Sequence, residues 1–277
     1  TVTNILLDYA LIYGHFGLPK TGFNGAAIAS IIAEVTGVLV IFAVMKYKGI
    51  SKKLLLFKNY MYDAGNTRLI LVQSSPIMLQ FVISVVSWEF FYILIEHHGA
   101  RDLAVSNVMR NMFGLFGCVT WAFASATNAM VSNVIGQGLQ HKVTELILKI
   151  MKLSLGFACI IFLLLNIAPE LLLKVYGQGN DFVVAAVPVA RVVSIALLIM
   201  SVATVWLNAV IGTGNTTMNL IIEVLAIVFY CIYVYTILEY LNLSITFGWM
   251  AEWIYWLTIL IPSFFYMQSG RWKDKKI

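Results

Sequence analysis

Charge is scarce in this sequence. Only 11% of the 277 residues are Asp, Glu, Lys or Arg, 61% are hydrophobic, and the mean hydropathy is +0.88. A soluble domain of this size cannot hide so much apolar surface, which leaves an all-α polytopic protein of the lipid bilayer. Cysteine is scarce as well. Cys118, Cys159 and Cys231 lie far apart in apolar runs, as small core residues and not as a disulfide framework or a metal site. No nucleophile motif, phosphate-binding glycine loop or zinc spacing occurs, which argues against an enzyme and against ATP drive. The basic excess, a net charge of +5, falls mostly in loops between apolar runs and fits a basic membrane face, not nucleic acid.

What the chain does have is a succession of apolar runs. A partial helix, TVTNILLDYALIYG, opens the chain in mid-pattern, so the chain reads as a piece that lacks its N-terminal part. Seven full spans follow, at about 26–45, 69–95, 103–135, 146–168, 182–211, 218–238 and 246–267, each at least as long as the ~20 apolar residues a bilayer requires. Alternate loops divide the bases unevenly. One side collects Lys46, Lys48, Lys52, Lys53, Lys58, Arg68, Lys142, Lys149, Lys152, Arg271, Lys273, Lys275 and Lys276; the other has only Lys20, Arg101 and Lys174. Thirteen against three predicts that the basic loops and the C-terminus are cytoplasmic. A weak repeat links NILLDYALIY with NLIIEVLAIVFY: Asn4 precedes Asp8 by four residues, as Asn219 precedes Glu223. Two half-transporters in parallel orientation would produce it, with about four spans missing before Thr1.

Ionisable residues inside apolar runs need a reason, because a carboxylate in hydrocarbon is costly. Glu34, Glu89, Arg110, Arg191 and Glu252 fall at a common depth, about seven residues from the outer ends of their runs, and suggest a polar cavity. Glu89 is the strongest candidate, in a run that also holds Pro76, expected to kink or open its helix, and Gln80. Gln80 and Glu89 are nine positions apart and lie on opposite helix faces, so Glu89 suits a cavity and Gln80 a bond to a neighbouring helix. A structural ion pair of Glu89 with Arg110 is the rival reading. Two polar stripes follow helical spacing: Asn107, Asn111, Gly114, Cys118, Trp121, Ser125, Asn128 and Ser132 on one run, and Arg191, Ser194, Ser201, Asn208 and Gly212 on another. Such stripes either pack helices or line a cavity. Trp249, Trp253 and Trp256 read as packing or interface anchors, and His97 and His98 as solvated turn residues with no metal.

Several of these segments together resemble the multidrug and toxic compound extrusion (MATE) family: SPIMLQFVISVVSWEFF, LAVSNVMRN, ASATNAMVSNVIGQG, GTGNTTMN and FGLPKTGFNGAAIA. The resemblance implies a twelve-helix, two-lobed antiporter of the bacterial inner membrane that exports small organic cations for H⁺ or Na⁺, without a further cofactor. Residues 1–47 would finish the N-lobe, 48–66 would be a cytoplasmic linker, 67–270 the six-helix C-lobe and 271–277 a cytoplasmic tail. Glu89 falls where the family carries its C-lobe coupling acid, with Gln80, Asn107, Arg110, Asn111, Arg191 and Glu252 as cavity or substrate candidates. Some members carry a second acid in the helix before the GTGNTT-like turn; this chain has Arg191 there and no acid, which leaves proton coupling or coupling through the N-lobe. A lipid-linked oligosaccharide flippase of related fold is the alternative, since Arg110 and Arg191 could receive pyrophosphate.

Overall fold

The computed structural model describes residues 2–53, 62–177 and 179–273, and all the regular structure among them is helical. Lys58, Lys275 and Lys276 of the expected basic loop and tail lie outside the described residues, as do residues 54–61 of the expected linker. The chain forms two compact units, Thr1–Ala64 and Gly65–Ile277.

The first unit consists of α1 (Val2–Tyr13), α2 (Phe23–Tyr47) and the short α3 (Ile50–Lys53). The connection between α1 and α2 folds back on α1: Thr21 donates from both its backbone nitrogen and its hydroxyl to the Leu11 carbonyl, each at 2.9 Å. That approach requires Gly25, since a Cβ there would lie 2.5 Å from Thr21 Oγ1 and 2.9 Å from Leu11 O. One side-chain bond, Asn4 Nδ2 to Ser30 Oγ at 3.4 Å, also ties α1 to α2.

The second unit holds α4 (Ala64–His97), α5 (Ala100–Gly136), α6 (Val143–Ile167), α7 (Pro169–Lys174), α8 (Asn180–Gly212), α9 (Thr216–Val234), α10 (Ile245–Trp249) and α11 (Ala251–Gln268). A 3₁₀ turn, Gln140–Lys142, leads into α6, and α9 continues as a π-helical segment, Tyr235–Tyr240. Boundaries follow local chemistry. Pro169 opens α7 at a position whose N–H would have no helical acceptor. Asn215 caps α9 by accepting from Met218 N at 3.3 Å. Gly214, with φ of 76°, takes the left-handed position that ends α8.

Helix α8 is the centre of this unit, packed against α5, α6 and α11. Apolar burial does little to join helices in a lipid phase, so close contact and interhelical hydrogen bonds must hold them. The α8 stripe serves that purpose. Ser194 Oγ accepts from Asn166 Nδ2 at 2.9 Å, Ser201 O from Ser154 Oγ at 3.0 Å, and Gly212 O from Ser132 Oγ at 3.0 Å.

Among the described residues, six helical stretches are long and apolar enough to cross a membrane: Phe23–Tyr47, Ala64–His97, Ala100–Gly136, Gln140–Ile167, Asn180–Gly212 and Thr216–Tyr240. They match the first six of the seven expected spans, with α1 as the short partial helix. The seventh differs. It breaks at Met250 into α10 and the 18-residue α11, whose Glu252, Pro262 and several Trp and Tyr residues lower its hydropathy. Helix α4 runs unbroken through Pro76, so no turn opens there.

Candidate functional site

A cavity of about 350 Å³ lies within the second unit, between α4, α5, α9 and α11. Ser84, Ser87 and Trp88 of α4, Arg110, Phe113, Gly114 and Trp121 of α5, Tyr230 of α9, and Glu252, Tyr255 and Trp256 of α11 line it. Its one carboxylate, Glu252, is only 2% exposed and accepts a hydrogen bond from Trp256 Nε1 at 3.0 Å. The indole is one helical turn further along α11, so helix geometry itself aims that donor. Arg110, on α5, is exposed, and its guanidinium carbon stands 5.0 Å from the centre of the Tyr92 ring, a cation–π contact. Tyr92 is fixed in turn by donating its hydroxyl proton to Ser106 O at 2.9 Å.

The candidates from the sequence divide between this cavity and other places. Arg110 and Glu252 line it, as do Gly114 and Trp121 from the α5 stripe. Gln80 sits one turn before the cavity and is bonded to Asn219 of α9. Glu89, Asn111 and Arg191 are exposed on the second unit, and Asn107 is half-buried; none of the four lines the cavity. The Glu89–Arg110 ion pair is not among the ion pairs of the described residues. An exposed charge at mid-span cannot rest in hydrocarbon, so Glu89 and Arg191 must face water or further protein. The three tryptophans turn inward instead of to the membrane interface: Trp249 Nε1 donates to Ser106 Oγ at 3.1 Å and Trp253 Nε1 to Val192 O at 2.8 Å. The two histidines are tied to the end of α9, His97 Nδ1 to Glu239 Oε2 at 3.1 Å and His98 Nε2 to Leu238 O at 3.0 Å.

The residue that the sequence undervalued is Glu223. It is 1% exposed and accepts from Ser84 Oγ at 2.6 Å and from the Tyr255 hydroxyl, both cavity-lining groups. The signal for it was present in the Asn219-to-Glu223 spacing, but its partners are 139 and 32 residues away in the chain.

Long apolar helices arranged about an aromatic cavity, with one carboxylate, Glu252, buried at its wall, make this a polytopic helical membrane protein. The chain belongs to the MatE family, whose model matches residues 76–236, more than half of its length. It is 24% identical over 281 residues to the probable multidrug resistance protein NorM of Thermotoga maritima, covering 99% of this chain and 59% of that protein. With the probable NorM of Agrobacterium fabrum it shares 26% over 174 residues, 62% of this chain and 37% of the relative. The chain thus spans about three-fifths or less of the length of these relatives. Its fold is that of the Vibrio cholerae MATE transporter VcmN, with a TM-score of 0.82, 17% identity, and coverage of 99% of this chain and 62% of the other. A Pyrococcus furiosus transporter of the MOP superfamily, described as having a binding pocket of reverse polarity that suggests a different function, matches at a TM-score of 0.63 and 18% identity, covering 76% and 46%.

Proposed function

We propose that this chain works in a secondary antiporter that exports small organic cations in exchange for H⁺ or Na⁺. In this reading residues 67–270 form one lobe of a twelve-helix carrier in the bacterial inner membrane, with the basic loops and the C-terminus cytoplasmic. The observation that carries the proposal is the cavity, lined by Trp88, Trp121, Tyr255 and Trp256 together with one buried carboxylate, Glu252. Aromatic faces attract organic cations, and a carboxylate in a low-dielectric wall supplies the countercharge. The relatives described as multidrug resistance proteins support the same direction.

Glu89 is the proposed coupling acid. It is an exposed carboxylate within a span, so it needs a polar surrounding, and it has no ion-pair partner among the described residues. Antiport requires only that ion and drug bind with mutual antagonism, so that loading one lowers affinity for the other. The test is efflux of a fluorescent organic cation from cells that express the full-length protein or Glu89→Gln. Lost efflux with normal membrane levels is the expected result; undiminished efflux by the variant would remove Glu89 from the mechanism. One observation favours a second reading, a flippase for lipid-linked oligosaccharides: Arg110 also lines the cavity, where it could meet pyrophosphate. A parent protein that exports no organic cation would put that reading first.

A further inference from the structure

We infer that Tyr92 is a positioning residue: its ring holds the Arg110 guanidinium and so keeps the base of the cavity off Glu252. Among the described residues that line the cavity, Arg110 is the only base and Glu252 the only acid. Tyr92 then sets the charge preference that the organic-cation reading of this cavity requires, and the inference rests on that reading.

The ring is anchored through a chain of contacts that starts on α9. Gly248 lets α10 pack on Leu238 of the π-helical segment, since a Cβ there would lie 2.8 Å from Leu238 Cδ2. That seats the next residue, Trp249, which is fully buried and donates from Nε1 to Ser106 Oγ at 3.1 Å. The carbonyl of the same serine accepts from the Tyr92 hydroxyl at 2.9 Å. Trp88 and Phe91 pack around the Tyr92 ring, with centroids 6.0 and 5.9 Å from its own. Ser106 and Arg110 are i and i+4 on α5, so the anchor of the ring and the cation over it are neighbours on one helix face.

Two acids compete with this ring for Arg110. Glu252 and Glu89 both lie near Tyr92, and Glu89 is one turn before it on α4. Arg110 nevertheless pairs with neither: the ion pairs among the described residues are His97–Glu239, Lys149–Glu145 and Lys174–Glu170. An arginine side chain is long, and opposite charges on the lining of an apolar cavity attract far more strongly than in water. Left free, Arg110 would turn to Glu252, whose neighbours Trp256 Nε1, at 3.0 Å, and the Tyr230 phenol are both neutral. That pair would cancel the countercharge that a bound organic cation needs. A planar, weakly hydrated guanidinium stacks well on an aromatic face, so an anchored ring is an effective rival for it.

The test uses the purified full-length protein and two readouts. Binding of tetraphenylphosphonium, a permanent monovalent organic cation, is followed by quenching of tryptophan fluorescence. Modification of Arg110 by phenylglyoxal is followed at that residue by mass spectrometry, with no transport substrate present. In Tyr92→Leu, binding should weaken about fivefold or more, because only molecules with Arg110 away from Glu252 can take the cation. Arg110 modification should slow in the same variant, as the guanidinium enters the cavity. Adding Arg110→Gln to Tyr92→Leu should restore binding to at least the parent level, which simple loss of packing at Tyr92 would not allow. Tyr92→Phe keeps the ring and should stay near the parent in both readouts. Should Tyr92→Leu fail to fold, Tyr92→Met fills the space with a flexible chain and carries the same expectations. Two outcomes would overturn the inference: an unchanged rate of Arg110 modification without the ring, or weakened binding that Arg110→Gln does not restore. A parent that binds no tetraphenylphosphonium would defeat the organic-cation reading instead, and the modification rate alone would then decide whether Tyr92 holds Arg110.

Discussion

Ser84 on α4 donates its hydroxyl proton to Glu223 on α9 at 2.6 Å, and so joins two helices whose bonded residues are 139 positions apart. Ser84→Ala would leave Oε1 with Tyr255 as its one remaining donor. A hydrogen bond to a charged group contributes about 1.5–3 kcal/mol, and a bilayer interior offers no water in exchange. The variant should melt at lower temperature in detergent, and Ser84→Ala combined with Tyr255→Phe lower still. A double-mutant cycle should show coupling between them, since both act on one oxygen. Additive losses would mean that the two hydroxyls stabilise α4 and α11 independently.

The sequence shows part of this arrangement and hides the rest. Apolar runs of bilayer length identify themselves through composition, so the six long spans are legible to within a few residues at most of their ends. The opposed faces of Gln80 and Glu89 are legible from helix geometry, and Gln80 does bond a neighbouring helix. What Glu223 touches is a tertiary fact, because Ser84 and Tyr255 reach it only after α4 and α11 pack beside α9. The break before α11 is equally tertiary. No proline stands at Met250, and the nearby sign is Gly248, where a Cβ would meet Leu238 Cδ2 at 2.8 Å.

Gly212 measures how tightly α5 and α8 cross. A Cβ there would lie 2.9 Å from the Asn128 carbonyl oxygen and 2.9 Å from Val131 Cβ, and the backbone atom cannot swing aside. Gly212→Ala should cost about 1–3 kcal/mol, the range for overpacking a well-filled core. Loss of folded protein in detergent at a lower temperature than the parent is the expected reading. Gly114→Ala, on the same α5 face but with open space around its Cβ position, should leave stability within a few tenths of a kcal/mol.

His97 and Glu239 form the contact that should matter least. The pair is 3.1 Å apart, but the side chains are 57% and 42% exposed. Exposed pairs contribute about 0–1 kcal/mol and weaken as salt screens them. Glu239→Gln should shift the melting temperature little, and high salt should erase the shift. A large, salt-independent loss would show that the π-helical end of α9 depends on this tie.

Glu252 and Arg110 bring an acid and a base to the lining of one cavity, and their removal should move transport in opposite directions. Glu252→Gln keeps an oxygen to accept from Trp256 Nε1, so folding should survive while the countercharge for a bound cation is lost. For a charge pair near a protein surface, Coulomb attraction at an effective dielectric of 20 is about 4 kcal/mol at 4 Å, so even a partial loss predicts roughly tenfold weaker binding or more. The apparent KM for a monovalent organic cation should rise by at least that factor, while a neutral compound of the same shape should be little affected. Arg110→Gln removes the repelling charge and should lower the same KM. If cavity and substrate were instead matched for an anionic lipid headgroup, the two effects would exchange places: Arg110→Gln would abolish movement of the lipid-linked substrate and Glu252→Gln would favour it. Parallel KM measurements on the two variants therefore decide between the organic cation and the pyrophosphate-bearing lipid.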